Sequence, residues 1–463
     1  MHLARNAPRL IIFMDSIRWL LLLLAAPFLL FPNPVRLLAL LLLPLIWGTA
    51  WLARRESIPT TPLNLSLLLL AIMMLVSLWA TYDIQVSLPK ITGLLLGLSL
   101  FFLYADYGRR KNGWILCLLL FWGSGIAVAL VSLVGTQWSS AKIPGLNQIV
   151  SWLPVQLSGI AGAEEGFHPN QVAGVLSWVL PSLVMAVVGW LTARGKLNPQ
   201  TTWWERGAGR LLVGVGLIAG VLLTGLVFVL TQSRSAYLAL VFGLGCALWL
   251  AAPLRWRWAS LAVVLLAAVL AGIMFARNGW PELFNTLQQV SSGSAAFSLL
   301  TFDQRLEIWS RAIYALQDFP ITGMGMNTFR QVVHLLYPLF SISPTVDIGH
   351  AHNEFLQAGL DLGLPGLVAF AALNLGIAIM LFKILRNCHT LPIHPALAKA
   401  VVLGLGAGYL AHLLYGLIDA VALGAKPGFI FWMLLGLVAG LHSQVVNAVS
   451  APQTTRQPRI EEG

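Results

Sequence analysis

Long apolar runs, separated by short polar breaks, set the pattern of this chain. Twelve such runs stand out, at about 17–32, 35–53, 62–82, 88–105, 113–134, 170–192, 211–231, 235–253, 258–276, 362–382, 400–419 and 429–446. Each is close to the roughly 20 residues that a helix needs to cross the hydrocarbon layer. The runs are continuous rather than alternating, which predicts helices and excludes the strands of a membrane barrel. The expected fold is therefore an all-α integral membrane protein of about twelve transmembrane helices. A single polytopic domain would span residues 1–446, followed by an unstructured cytoplasmic tail at 447–463. The start, with Arg5, Arg9 and Arg18 before an apolar run at 19–31, imitates a signal peptide. No small-x-small cleavage site follows, and a second run begins almost at once, so it reads as a retained first helix.

Two polar-to-mixed segments interrupt this pattern on one side. The first, about 135–169, contains Lys142, Glu164 and Glu165 and ends in Gly166-Phe167-His168-Pro169-Asn170. The second, about 277–361, is long enough to expect function or disorder. Its aromatic and aliphatic content, including Trp280, Phe284, Trp309, Tyr314, Phe329 and Tyr337, argues for a folded segment. Residues 303–318 predict an amphipathic helix with Leu306, Trp309, Ile313 and Leu316 as its apolar stripe. Arg305 falls at the edge of that stripe, and Arg311 far round toward solvent or headgroups.

Composition agrees with the pattern: 58% of the 463 residues are hydrophobic, only 10% are charged, and mean hydropathy is +0.81. A soluble enzyme, a disordered chain and a fibrous protein are excluded on that basis. The formal charge of +11 would usually suggest nucleic acid. With the N-terminus in the cytoplasm, however, most Lys and Arg fall in cytoplasmic segments, and the positive-inside bias accounts for them without such a partner. Cys117, Cys246 and Cys388 are scattered and suggest neither a disulfide framework nor a thiolate site.

The basic residues left on the external side are the informative ones: Arg36, Lys90, Lys142, Arg234, Arg277, Arg305, Arg311, Arg330 and Lys426. Arg36, Lys90 and Arg277 lie at span ends, where snorkelling explains them. Arg234 sits in Thr231-Gln232-Ser233-Arg234-Ser235, a tight turn between two runs, where a pinned guanidinium suits a phosphate or diphosphate, or anchors the hairpin. His350 and His352 stand in Gly349-His350-Ala351-His352-Asn353-Glu354, at the entrance to the tenth run, where an imidazole can act as a general base. A zinc site is disfavoured there, because positions two apart do not share a helix face and no third ligand is obvious. His168 and Asn170 either cap the sixth span or line a site. His412 reads as a satisfied bundle histidine, and Asp419 and Lys426 as a pair across a short turn. No P-loop, dinucleotide fingerprint, haem pattern, G-x-S-x-G or D-x-D is present, so no cofactor is expected and arginines would have to neutralise any phosphate leaving group.

These residues resemble the O-antigen ligase and polymerase superfamily, bacterial membrane glycosyltransferases that act on undecaprenyl-diphosphate-linked glycans. His352-Asn353, then nine residues, then Gly363-x-x-Gly366 looks like the ligase signature. Phe167-x-Pro169-Asn170, Ser233-Arg234, and Arg305 with Trp309, Pro320, Gly323 and Gly325 support it, and the resemblance covers most of 165–440. Ser235 and Asp361 depart from it, standing where Gly and Glu are expected.

The resemblance implies a GT-C-like architecture and metal-independent transfer with inversion. It carries the family's functional arginines to Arg234 and Arg305, which would hold the donor diphosphate, and its histidine to His352, which would take the acceptor's proton. Asn353, His350, Asn170 and Arg311 would contact substrate or support those that do. The implied partners are an undecaprenyl-diphosphate-linked glycan and an acceptor such as lipid A-core, and the implied location is the inner membrane with a periplasmic site. The ligase pattern is favoured over a polymerase, which would use the same donor chemistry. A transporter is the alternative from another class, with His412 as its candidate ionisable residue.

Overall fold

The computed structural model describes residues 2–54, 58–138, 146–153, 166–193, 207–263, 265–266, 269–270, 272–273, 300–421 and 423–450. Lys142, Glu164, Glu165, Arg277 and the tail from 451 lie outside the described residues. The described residues are helical, with an isolated bridge between Thr136 and Phe167. In chain order the helices are α1 (His2–Leu30), α2 (Leu42–Arg54), α3 (Asn64–Ala80), α4 (Ile84–Gly108), α5 (Gly113–Gly135), α6 (Leu146–Ser151), α7 (Pro169–Thr192), α8 (Gly207–Leu230), α9 (Arg234–Ala251) and α10 (254–263). Then follow α11 (Leu300–Asp318), α12 (Thr328–Leu336), α13 (Glu354–Asn387), α14 (Pro395–Tyr415) and α15 (Phe429–Ser450).

The fold is an all-α membrane bundle. Among the described residues, eight helices are long and apolar enough to cross a membrane, four fewer than the twelve expected runs. The runs at 17–32, 35–53 and 62–82 form the shorter apolar helices Ser16–Leu30, Arg36–Leu52 and Asn64–Ala80, and the run at 258–276 lies partly outside the described residues. Several boundaries also move. The tenth span begins at Glu354 rather than 362, because Asn353 supplies a helix cap. The last helix runs on to Ser450, past the predicted end at 446.

α7, α14, α4 and α15 make the centre. In α7, 83% of the most apolar window is buried inside the protein, against 22% in α9, which faces outward. α7 and α14 meet on small residues: a Cβ on Gly408 would stand 2.2 Å from the Trp178 carbonyl oxygen, and one on Gly404 2.8 Å from the Ser182 Cα. Such seams are how helices pack where lipid is as apolar as the side chains.

The long loop carries α11, α12 and a small core of its own, with Ile308, Ala312, Ala315, Phe329, Val333, Ile348 and Ala351 packed onto Leu360 of α13. The inward stripe of α11 is thus Ile308, Ala312 and Ala315, flanked by Trp309 and Leu316 of the predicted stripe, whereas Leu306 and Ile313 are exposed. Alanines decide the face because they let α11 approach closely, a signal that counting only large apolar residues misses. Arg305 and Arg311 flank that face on opposite sides.

The loop is locked to the membrane domain at a break in α13. Gly363 adopts φ 70° and ψ −179°, which interrupts the helical hydrogen bonding. The carbonyl of Leu360 then accepts from Met324 N–H at 2.7 Å, and Leu364 N–H donates to Pro320 O at 2.7 Å. Two groups freed by the break are satisfied by the loop that crosses it.

Candidate active site

The start of α13 is the nucleus of the site. Asn353 Oδ1 accepts from the N–H groups of Phe355 and Leu356, each at 3.0 Å, and its Nδ2 donates to Leu417 O at 3.0 Å. Asn353 therefore acts as a cap that also ties α13 to the turn after α14. Just before it, His352 has φ 49°, a left-handed conformation uncommon outside glycine and found where the surroundings impose it. That twist brings the rings of His350 and His352 edge to face, 4.4 Å between centroids.

Asp419, in the turn after α14, faces both rings. His350 Nε2 lies 3.3 Å from Asp419 Oδ1, and His352 Nδ1 lies 3.7 Å from the same oxygen. Asn170 Nδ2 donates to Asp419 Oδ2 at 3.0 Å, and the Ala420 N–H donates to Oδ1 at 3.0 Å. Asp419 is 1% exposed, so it is a buried carboxylate whose ligands come from α7, the 350–352 segment and its own turn. Burial pushes its pKa up, but the contact with His352, the charges of His350 and His352 and the Ala420 N–H together hold it below the usual carboxylate range. His350 is pushed down to about 3, first by burial and then by His352, Lys90 and His168, against the opposing pull of Asp419. It is a neutral imidazole at ordinary pH.

A ligand atom from each of His350, His352 and Asp419 lies within 4.8 Å of the others, so Asp419 is the third metal-capable group that sequence reading did not find. Hydrogen bonding argues against that use. The His352 N–H donates to His350 Nδ1 at 3.1 Å, which puts the proton of the neutral ring on Nε2, aimed at Asp419. A metal would need that nitrogen bare. The group fits a hydrogen-bonded Asp–His arrangement better.

The other expected residues are placed as follows. His168 caps α7, its Nδ1 accepting from Asn170 N–H at 3.2 Å, while the Asn170 side chain goes to Asp419. Arg305 lies one turn before Trp309, which donates Nε1–H to the His352 carbonyl at 3.3 Å. The Arg305 charge also bears on the Tyr415 hydroxyl, which donates to Asn170 O at 2.7 Å.

Arg234 is the first residue of α9. α9 runs antiparallel to α14, with Gly243 against Ala407 and Ala411, and Ala247 clustered with Leu403 and Ala407. Nine residues back from Gly243, about 13 Å along the axis, Arg234 stands level with the end of α14, at the end of the bundle that holds Asp419. Neither Arg234 nor Arg305 has a hydrogen bond or ion pair to another described residue. Arg311 is engaged elsewhere, its Nε donating to Pro338 O at 2.8 Å and its guanidinium 5.3 Å from the Phe340 ring centroid.

Three sequence readings change here. Lys90 is not snorkelling: its Nζ is 3.2 Å from Asp361 Oδ2. Asp361, completely buried, also accepts from Asn327 N–H at 3.0 Å and Gln357 Nε2 at 2.8 Å, so the shorter carboxylate has a full structural role. Asp419 belongs to the histidines, whereas Lys426 lies over the Phe31 ring, 4.7 Å from its centroid. His412 is a satisfied bundle histidine as expected, bonded to Gly174 O and to Glu354 Oε1, each at 2.9 Å. Sequence reasoning missed Glu354; its signal was its place directly after His-Asn, at the head of an apolar run.

No curated protein matches the chain. The family model described as O-antigen ligase matches residues 219–371, which carry Arg234, Arg305, His350, His352 and Gly363. Over that segment, roughly a third of the chain, this polytopic all-α membrane protein is similar to the O-antigen ligase family.

Proposed function

We propose that the protein is a metal-independent, inverting glycosyltransferase of the ligase type. It would move a glycan from undecaprenyl diphosphate onto an acceptor hydroxyl, most specifically of lipid A-core, at the periplasmic face of the inner membrane. The observation that carries this reading is Asp419, buried between His350 and His352 at the mouth of α13. A carboxylate on one ring nitrogen orients an imidazole so that its other nitrogen can take a proton.

In the reaction, the acceptor oxygen attacks the anomeric carbon and gives its proton to His352. The bond between that carbon and the diphosphate oxygen breaks, and its electron pair leaves with the lipid diphosphate. Attack opposite the leaving group inverts the anomeric centre. Arg234 and Arg305, both without ion pairs among the described residues, take up the charge that develops on the diphosphate, the work a metal does elsewhere. Asp419 stabilises the imidazolium formed on His352.

The transport reading depended on His412, whose two ring nitrogens are bonded inside the protein and whose face is stacked 3.7 Å from Trp178. That leaves it no free group to offer a passing solute. The direct test is glycan transfer by His352→Ala and Arg305→Ala variants. Both are expected to be inactive while remaining folded and membrane-inserted, and normal glycan profiles would refute the assignment. Purified protein with carrier-linked glycan and separate acceptors then distinguishes a ligase, which makes one addition, from a polymerase, which makes a ladder.

A further inference from the structure

Beneath the His–Asp group lies a second pair of ionisable side chains that this chemistry does not use. Glu354 and His412 are 6% and 2% exposed, and ionisable groups buried in a membrane bundle need a reason. Glu354 Oε1 meets His412 Nε2 at 2.9 Å and accepts the Val421 N–H at 2.9 Å. The Glu354 N–H donates to Gly416 O at 2.7 Å. A Cβ on Gly416 would stand 2.9 Å from Glu354 Oε2, so this turn approaches the carboxylate as closely as a residue without a side chain allows.

Hydrogen-bond accounting fixes the number of protons in the pair. Ser177 Oγ–H donates to Gly174 O at 2.6 Å, and His412 Nδ1 faces the same carbonyl at 2.9 Å. A carbonyl only accepts, so Nδ1 carries a hydrogen. The short contact between Nε2 and Oε1 then needs one proton of its own. Glu354 and His412 share it, as a carboxylate with an imidazolium or as the neutral equivalent.

We propose that Glu354, held by His412, is a positioning residue for the base: it clamps the 416–421 turn onto the head of α13 and so sets Asp419 against His352. Residues 353 and 354 bind that turn at Gly416, Leu417 and Val421, on both sides of Asp419. The groups facing His412 are Trp178, Ser177 and Gly174 from α7, Tyr415 on its own helix and Glu354 from α13. Glutamine at 354 cannot replace the carboxylate alone, since its oxygen would face either the Val421 N–H and an unpaired imidazolium, or a bare ring nitrogen.

The inference rests on His352 being the base, and the experiment separates the two. Full-length purified protein is assayed with carrier-linked glycan as Glu354→Gln, His412→Gln, the double variant and His352→Ala, with melting followed in parallel. Each single glutamine variant is expected to lower kcat about tenfold to a hundredfold, with donor KM little changed and melting lowered because a buried group loses its partner. The double variant, in which one amide can donate to the other, is expected to be no worse than the poorer single. Wild-type kcat in Glu354→Gln, losses that multiply in the double variant, or a loss confined to donor KM would overturn the clamp. An active His352→Ala would instead refute the reading beneath it.

Discussion

Asp419 is the residue on which the site turns, and its physics explains why. A buried carboxylate is costly unless its oxygens are satisfied, and here Asn170, the Ala420 N–H and the His350 ring do so, with His352 Nδ1 3.7 Å away. Asp419→Asn keeps the shape but removes the charge that would stabilise a protonated His352. Transfer is expected to fall about a hundredfold or more with donor KM little changed, measured as kcat on purified protein.

His350 makes a separate prediction. Its folded pKa of about 3 lies below the ordinary histidine value of 6.5, so the unfolded chain binds more protons between those values. Its contribution is present in full above about pH 6.5 and is lost as pH falls toward 3. Asp419, also held low, acts in the same direction at lower pH. Melting temperature should therefore drop on acidification through this window, and His350→Gln, which has nothing to protonate, should flatten the drop. An unchanged profile in that variant would show that His350 is not the neutral group described. Residue types singled out Arg234 and the two histidines, and the family resemblance pointed to His352 and Arg305, but neither found Asp419, because an acid in a short turn looks the same whether it faces a neighbouring lysine or a histidine far back in the chain.

At the scale of elements, α13 gives the spacing of His352-Asn353 to Gly363 a physical meaning. Asn353 starts the helix, under three turns follow, and Gly363 breaks it where the loop crosses. A Cβ at 363 would lie 2.1 Å from Ile321 O, in a backbone conformation that costs other residues about 1–3 kcal/mol. Gly363→Ala is expected to lower the melting temperature and to expose the loop to protease, and equal resistance in variant and wild type would contradict the locking role. The helical runs were legible because lipid imposes length and apolarity on every span. The early start of α13 was not, since its first turns are read as loop until the cap at Asn353 and the partner turn at Leu417 are seen together. The face of α11 was read only in part for a related reason, as tertiary packing selected Ile308 and two alanines over Leu306 and Ile313.

Over the whole molecule, the long loop and the bundle are also joined through an ion pair on a buried carboxylate. Lys90 on α4 neutralises Asp361 on α13, and Asp361 in turn holds Asn327 at the start of α12. Removing the cation leaves a fully buried carboxylate uncompensated, which typically costs about 3–5 kcal/mol. Lys90→Met should destabilise the protein accordingly in denaturation experiments, and adding Asp361→Leu should restore most of the loss. The bundle class was readable from hydropathy and charge. The joint between loop and bundle was not, because Lys90 and Asp361 are far apart in sequence and each has a bland local explanation.

The central claim is that an imidazole, set by a buried carboxylate and aided by arginines rather than a metal, carries the proton in glycan transfer. The most direct measurement is transfer by purified protein in lipid nanodiscs, with carrier-linked glycan, acceptor and excess chelator, comparing wild type with His352→Ala. The account predicts undiminished transfer by the wild type and none above background by the variant. Transfer that chelation abolishes and Mn²⁺ or Mg²⁺ restores, or an active His352→Ala, would contradict it.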